Sequence, residues 1–504
     1  MFNEEGLKFM KLFDWVKSRY VDSVNIEKFS DEIIWESLHK LDPHSVYLTK
    51  NEVKDVNESL EGNFEGIGIN FNILNDTIFV VSPIKSGPSE KAGIKPGDRI
   101  VKIEGENVAG IHISSKQVAS KLKGMGGSIV NIEVKRRASK KLLPFAITRG
   151  KIPINSIDAA YRVDATTGYI KLSRFSHTTM SELSKVLSDF KKENITNLIF
   201  DLSGNGGGYF EVAIAIADEF LEADKLIVRT KGMHTETNEF STNKGLFEKG
   251  KLIVIIDEGS ASASEIVAGA VQDWDRGLIV GRRSFGKGLV QTQLIFPDES
   301  VVRLTVARYY TPTGRLIQKP YTNGYKEYTS EVNKRIGHGE LLNKDSIQFN
   351  DSLKYYTLKL KRKVYGGGGI MPDIFVPIDT SRYSAYYRKL LANGLINSFV
   401  IQYIDDNRNV LTKKYTEFKS FNDNFEVDKT VLDKLIKYGE NRSVKYDSTN
   451  FEHSRHFLYN YIKALIARNM WDSSEFYEIF NQTDPSYHKA LEAIKNWDNY
   501  WSSN

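Results

Sequence analysis

Residues 251–293 read KLIVIIDEGSASASEIVAGAVQDWDRGLIVGRRSFGKGLVQTQ. The apolar run KLIVIID has the length and the isoleucine and valine content of a buried strand. It ends in Asp257-Glu258-Gly259, small residues follow, and a helix is expected over about 262–274. A second apolar strand, GLIVG, comes next, then the glycine-flanked Lys287 and the strand-like LVQTQLIF. Strand, helix, strand in this order predicts parallel pairing with the helix packed on one face. Outward from here the same rhythm continues. GYIKLSRF and NLIFDL are further strand candidates, the segments near 179–192 and 209–222 are helix candidates, and SVVRLTVARYY is a long strand. The reading is an α/β core over 151–378, ending at the glycine run GGGGIMPDIFVP.

The junction after KLIVIID is where chemistry is expected. A serine at a helix N-terminus meets free N–H groups and a dipole that favour a negative oxygen. Any one of Ser260, Ser262 and Ser264 taken alone reads more simply as a helix cap. Lys287 alters that balance. A lysine set between apolar strands is partly stripped of water, which lowers its pKa and lets it accept a proton from a hydroxyl. Two other patterns overlap this lysine. GRRSFGKG at 281–288 approaches a phosphate-binding loop, but Gly288 stands where a Ser or Thr is required, and a strand rather than a helix follows. Ser284 to Lys287 has SxxK spacing, but no SDN or KTG accompanies it, and the glycines oppose the helix it needs.

Upstream the period changes to two. Ile67, Ile69, Phe71 and Ile73 alternate, Asn75-Asp76 makes a turn, and TIFVV returns as a second strand. KAGIKPGDRIVKI, a short helix near 114–122 and strands near 129–135 and 142–148 complete a small domain over 61–150. Residues 1–60 read as helical from Phe9, Leu12, Phe13, Val16 and Tyr20, and again from Ile34, Leu38 and Leu41. Residues 379–504 read as a helical cap, with Leu458, Ile462, Leu465 and Ile466 forming one apolar stripe. With 504 residues the chain divides into several domains. It contains no cysteine, which excludes disulfides and thiolate chemistry. A net charge of +5 does not argue for nucleic acid or an anionic membrane. There is no HExxH among nine scattered histidines.

GSASASEIVAGAVQD followed by GRRSFGKGLVQ resembles the carboxy-terminal processing, or tail-specific, serine peptidases. The resemblance implies a ClpP/crotonase-like α/β core, with Ser262 as nucleophile, Lys287, 25 positions on, as general base, and Gln291 steadying the lysine. DLSGNGGG at 201–208 is similar to the family's DLRxNxGG loop, with Ser203 where arginine is usual. It implies an oxyanion hole from the N–H of Ala263 and of Gly207 or Gly208. Glu265 and Asp273 fall at family positions and imply supporting roles. The unit at 61–150 resembles a PDZ domain, whose loop Gly66, Ile67, Gly68 and Ile69 implies capture of a peptide's terminal carboxylate. LDPHSVYL near residue 45 is family-like as well. The family likeness further implies acyl transfer on protein or peptide substrates with free C-termini, no metal or organic cofactor, and export to the periplasm or cell envelope by a targeting segment outside this numbering. Two rivals are a crotonase-like acyl-CoA enzyme, which the Ser–Lys spacing opposes, and an inert PDZ scaffold, which the intact Ser262, Lys287 and Gln291 oppose.

Overall fold

The computed structural model describes residues 4–137, 139–348 and 350–503. Its centre is a six-stranded sheet. From edge to edge the strands are Ile157–Arg162, Thr167–Leu172, Asn197–Asp201, Lys251–Ile256, Leu278–Gly281 and Ile374–Phe375. The first pair is antiparallel and every other pair is parallel. Strand Lys251–Ile256 shows why the sequence carries an unbroken apolar run. Leu252, Val254 and Ile256 face one cluster, with helices Thr179–Lys192, Phe210–Asp218 and Ala263–Asp273. Ile253 and Ile255 face the other cluster, with Tyr487, Ala490, Ala493 and Ile494 of the late helix Pro485–Lys495. A sheet covered on both faces needs apolar side chains at every position. The last helices of the chain therefore complete the core sheet, in addition to forming the helical cluster around Leu435, Leu458, Ile462 and Leu465.

A second sheet lies beside the first. Strand Val301–Tyr310 pairs with Leu289–Ile295 along its length and with Leu226–Gly232 near its end. It also pairs with Val46–Leu48, so the opening region is not helical throughout. Val46 lies opposite Arg303 and Leu48 opposite Val301, which fastens the segment after Asp42-Pro43 onto the core.

Residues 69–148 form a separate antiparallel sheet in the order Ile69–Leu74, Thr77–Pro83, Arg99–Ile103, Ile129–Lys135, Leu143–Thr148. Its core holds Ile78, Val80, Ile100, Val118, Val130 and Ile132. This domain touches the C-terminal helices through polar groups. Arg99 Nη2 pairs with Asp405 Oδ2 at 3.0 Å, and Arg137 Nη1 donates to the Asp405 carbonyl at 3.0 Å. Among the described residues no helix is long and apolar enough to cross a membrane.

Candidate active site

Ser262 ends the turn after strand Lys251–Ile256 and caps helix Ala263–Asp273, with φ 57° and ψ −112°. A non-glycine residue held at positive φ stores strain, and such positions cluster at functional sites. The small neighbours make the turn possible. Ser260 Oγ donates to the Leu202 carbonyl at 2.8 Å, and Ser264 Oγ donates to the Asn205 carbonyl at 2.8 Å. These two serines tie the turn to the DLSGNGGG loop, whereas Ser262 stands at the helix N-cap, its side chain and that of Glu265 forming a capping box.

Lys287 is brought to the same place by one buried carboxylate. Glu265 accepts from Ser262 N at 2.8 Å, Lys287 N at 2.9 Å, Gly286 N at 2.7 Å and Ser284 Oγ at 2.5 Å. It thereby joins the backbone of the serine turn to the backbone of the lysine loop. Burial raises its pKa, and the four donors work in the opposite direction. Tyr309 OH adds a second link, 3.1 Å from the Ser262 carbonyl and 2.5 Å from that of Lys287. Ser284 is thus a support within the loop, with its hydroxyl also accepting from Ile370 N.

The Lys287 amine donates to Gln291 Oε1 at 2.9 Å, and Gln291 Nε2 donates to the His44 carbonyl. Burial, with the nearby Arg303 cation, lowers the Lys287 pKa from 10.5 to about 8, while Glu265 and Asp42 pull it the other way. Among the described residues no hydrogen bond joins Ser262 Oγ to Lys287 Nζ; such bonds commonly tighten only when substrate is present.

LDPHSVYL closes this side of the site. Asp42 accepts from His44 N, from Ser45 N and Oγ, and from Thr305 Oγ1. His44 Nε2 lies 2.6 Å from Tyr328 OH, and burial together with the Lys287 charge lowers its pKa to about 4, so it is neutral near pH 7. Asp42, His44 and Tyr309 carry roles that the sequence did not assign. The family likeness of LDPHSVYL was the available signal for the first two, and a tyrosine in a long strand offers none.

On the opposite side, Gly207 approaches so closely that a Cβ there would lie 3.0 Å from both Ala263 N and Ser262 Cβ. Gly208, at φ 155°, would put a Cβ 2.0 Å from the Phe175 carbonyl oxygen, so the loop admits only glycine there. The Gly207 N–H donates to Asn205 Oδ1 at 2.9 Å. The N–H groups of Ala263 and Gly208 have no acceptor among the described residues. Where arginine was expected, Ser203 is held by buried Lys171, whose amine reaches Ser203 Oγ at 2.7 Å and Asp201 Oδ1 at 3.0 Å. Support for the loop therefore comes from the neighbouring strand. Asp273 pairs with buried Arg315 and accepts from Thr313 N at 2.9 Å, on the far end of the helix that Ser262 begins.

In the small domain, Gly66 lies opposite Gly150 in a short ladder, and Gly66, Ile67 and Gly68 are buried. The Ile67 side chain belongs to the domain core, while Ile69 opens an edge strand paired on one side only. Ser89 Oγ donates to the Ile67 carbonyl at 2.6 Å. The Ile67 and Gly68 N–H groups have no acceptor among the described residues.

With this geometry in place, comparison with known proteins adds three matches to family models. Peptidase family S41 matches residues 166–324, the PDZ domain matches 79–136, and a family of unknown function matches 386–472. The carboxy-terminal processing protease CtpB of Bacillus subtilis (strain 168) is 35% identical over 315 residues, which are 62% of this chain and 65% of that protein. The carboxy-terminal-processing protease of Bartonella bacilliformis is 35% identical over 316 residues, 62% of this chain and 72% of that protein. Among solved structures, the photosystem II D1 C-terminal processing protease aligns at 27% identity with a TM-score of 0.34, over 62% of this chain and 90% of that one.

Proposed function

The chain belongs to the carboxy-terminal processing proteases of peptidase family S41, and from that premise we propose that it is a serine endopeptidase working through Ser262 and Lys287. The observation that carries the reading is the shared carboxylate of Glu265, which binds the backbone of the strained Ser262 turn and that of the buried Lys287 at once. Lys287, neutral in a useful fraction near pH 8, removes the Ser262 hydroxyl proton as Oγ attacks the peptide carbonyl carbon. The oxyanion accepts from the N–H of Ala263 and of Gly208, since the N–H of Gly207 is engaged by Asn205. The lysine proton passes to the leaving amine. Water then attacks the acyl ester with Lys287 again as base, releasing the new carboxylate. Gln291 keeps the amine aimed by hydrogen bonding between Lys287 and the His44 carbonyl.

The small domain, over 61–150, recruits substrate by its C-terminal carboxylate. The unengaged N–H groups of Ile67 and Gly68 stand at the start of an edge strand, to which an extended peptide adds as one further strand. The core spans 151–378, and export to the periplasm or cell envelope completes the reading; fractionation of producing cells checks that last element. The test of the activity is incubation of the protein and its Ser262→Ala variant with an unfolded test protein, followed by mass spectrometry of fragments. Internal cleavage by the first and none by the second is the expected result, and equal fragmentation overturns the assignment.

A further inference from the structure

Nine buried side-chain nitrogen and oxygen atoms lack a hydrogen-bond partner among the described residues, and six of them belong to arginines. Four of these arginines face carboxylates: Arg283 with Glu340, Arg315 with Asp273, Arg362 with Asp275, and Arg382 with Asp379. Arg174 and Arg303 do not, and Arg174 still donates to Ser59 Oγ at 3.3 Å. The Arg303 guanidinium donates to no described residue.

Its place in the fold is specific. Arg303 lies in strand Val301–Tyr310, opposite Gln293, two positions from Thr305, which lies opposite Gln291. Cross-strand partners share a face of the sheet. Arg303 is therefore on the face where Gln291 holds the Lys287 amine and where Thr305 reaches Asp42. Its cation is felt by Lys287 on one side and by the Tyr209 hydroxyl on the other, and Tyr209 follows directly on Gly207-Gly208. The half-buried guanidinium thus stands beside the reacting groups. The acidic groups nearby are otherwise engaged: Glu265 takes four donors, Asp42 is bonded by His44, Ser45 and Thr305, and Glu61 faces His177 at 3.6 Å.

A partly desolvated cation with no counter-charge is costly. Arginine's planar fork suits one kind of partner above others, a carboxylate bound by two parallel N–H groups. We propose that Arg303 binds a carboxylate of the substrate next to the scissile bond, giving the enzyme a preference for an acidic group at one position there. This rests on the peptidase reading of Ser262 and Lys287 and adds a specificity determinant to it. The carboxylate has two possible sources, an Asp or Glu side chain or the free end of a short tail.

The experiment uses the full chain and a peptide series in which one Glu is moved through each position flanking the cleaved bond, against the matching Gln series. A third series has no Glu and ends at each position as a free acid or an amide. At one position the carboxylate peptide is expected to exceed its neutral twin in kcat/KM by roughly tenfold, the scale of a charge-assisted hydrogen bond. Arg303→Gln should bring that ratio close to one, and Arg303→Glu should favour Lys at the same position. The Gln and amide arms show which source supplies the carboxylate. A wild-type enzyme indifferent to the carboxylate at every position overturns the inference, as does an Arg303→Gln enzyme that keeps the preference. Cleavage of the neutral peptides separates the two readings: it upholds the peptidase whatever Arg303 does, and failure to cut any peptide overturns both.

Discussion

Replacing Lys287 by methionine should stabilise the protein at neutral pH while removing its activity. The amine is buried, and its pKa falls from 10.5 to about 8. That depression means the folded state disfavours the charged lysine by about 3 kcal/mol. The sign follows from proton counting. Below about pH 8 both folded and unfolded chains carry the proton, and the full penalty weighs on the fold. Between pH 8 and 10.5 the unfolded chain binds a proton that the folded chain does not, so this group's contribution to stability rises with pH. Above 10.5 the amine is neutral in both states and the penalty is gone. Methionine keeps the aliphatic stem and never carries that penalty, but loses the bond to Gln291, worth about 1 kcal/mol. Lys287→Met should therefore be more stable than the parent by about 2 kcal/mol near neutral pH, and less stable by about 1 kcal/mol well above pH 10. Urea unfolding of both proteins at the two pH values measures the difference. A variant less stable at neutral pH, or an offset that does not change with pH, refutes the claim that Lys287 is a desolvated, weakened base.

Three more outcomes are expected. The kcat/KM of the parent should rise from acid towards alkaline pH with a midpoint near 8, because only the neutral lysine accepts the serine proton; a profile falling above pH 6 contradicts this. Glu265→Gln offers one acceptor oxygen where four donors converge, leaving buried N–H groups unpaired at a cost of roughly 2–4 kcal/mol, so its Tm and its kcat should both drop. A substrate with a free apolar C-terminus should be cut faster than its C-terminally amidated twin, and equal rates would exclude carboxylate capture at Ile67 and Gly68.

The features legible in the sequence are those written within short stretches. The unbroken run in KLIVIID signals a strand covered on both faces, and Leu252 to Ile256 divide between two cores as such a strand must. The Ser262–Lys287–Gln291 order lies within 30 residues, and glycines at 207 and 208 announce a close backbone approach that the structure contains. Contacts between distant segments were not legible. Gln291 meets the His44 carbonyl across 247 residues, and no local pattern specifies a backbone acceptor so far away. Ser203 looked like a loop deprived of its cation because the replacement, Lys171, sits on another strand. The stripe in the tail was readable as amphipathic, but amphipathicity says only that a face is buried. It does not say that Tyr487, Ala490 and Ile494 close the back of the core sheet.

The central claim is that Ser262 is a nucleophile activated by Lys287. Labelling with a fluorophosphonate, which phosphorylates activated serine hydroxyls, tests it most directly, with the site located by peptide mass spectrometry across a pH series. The mechanism predicts one modified peptide containing Ser262, a labelling rate that rises through about pH 8, and no labelling of Lys287→Ala. Labelling at Ser260 or Ser284 instead, or at Ser262 with a rate indifferent to Lys287, would contradict it.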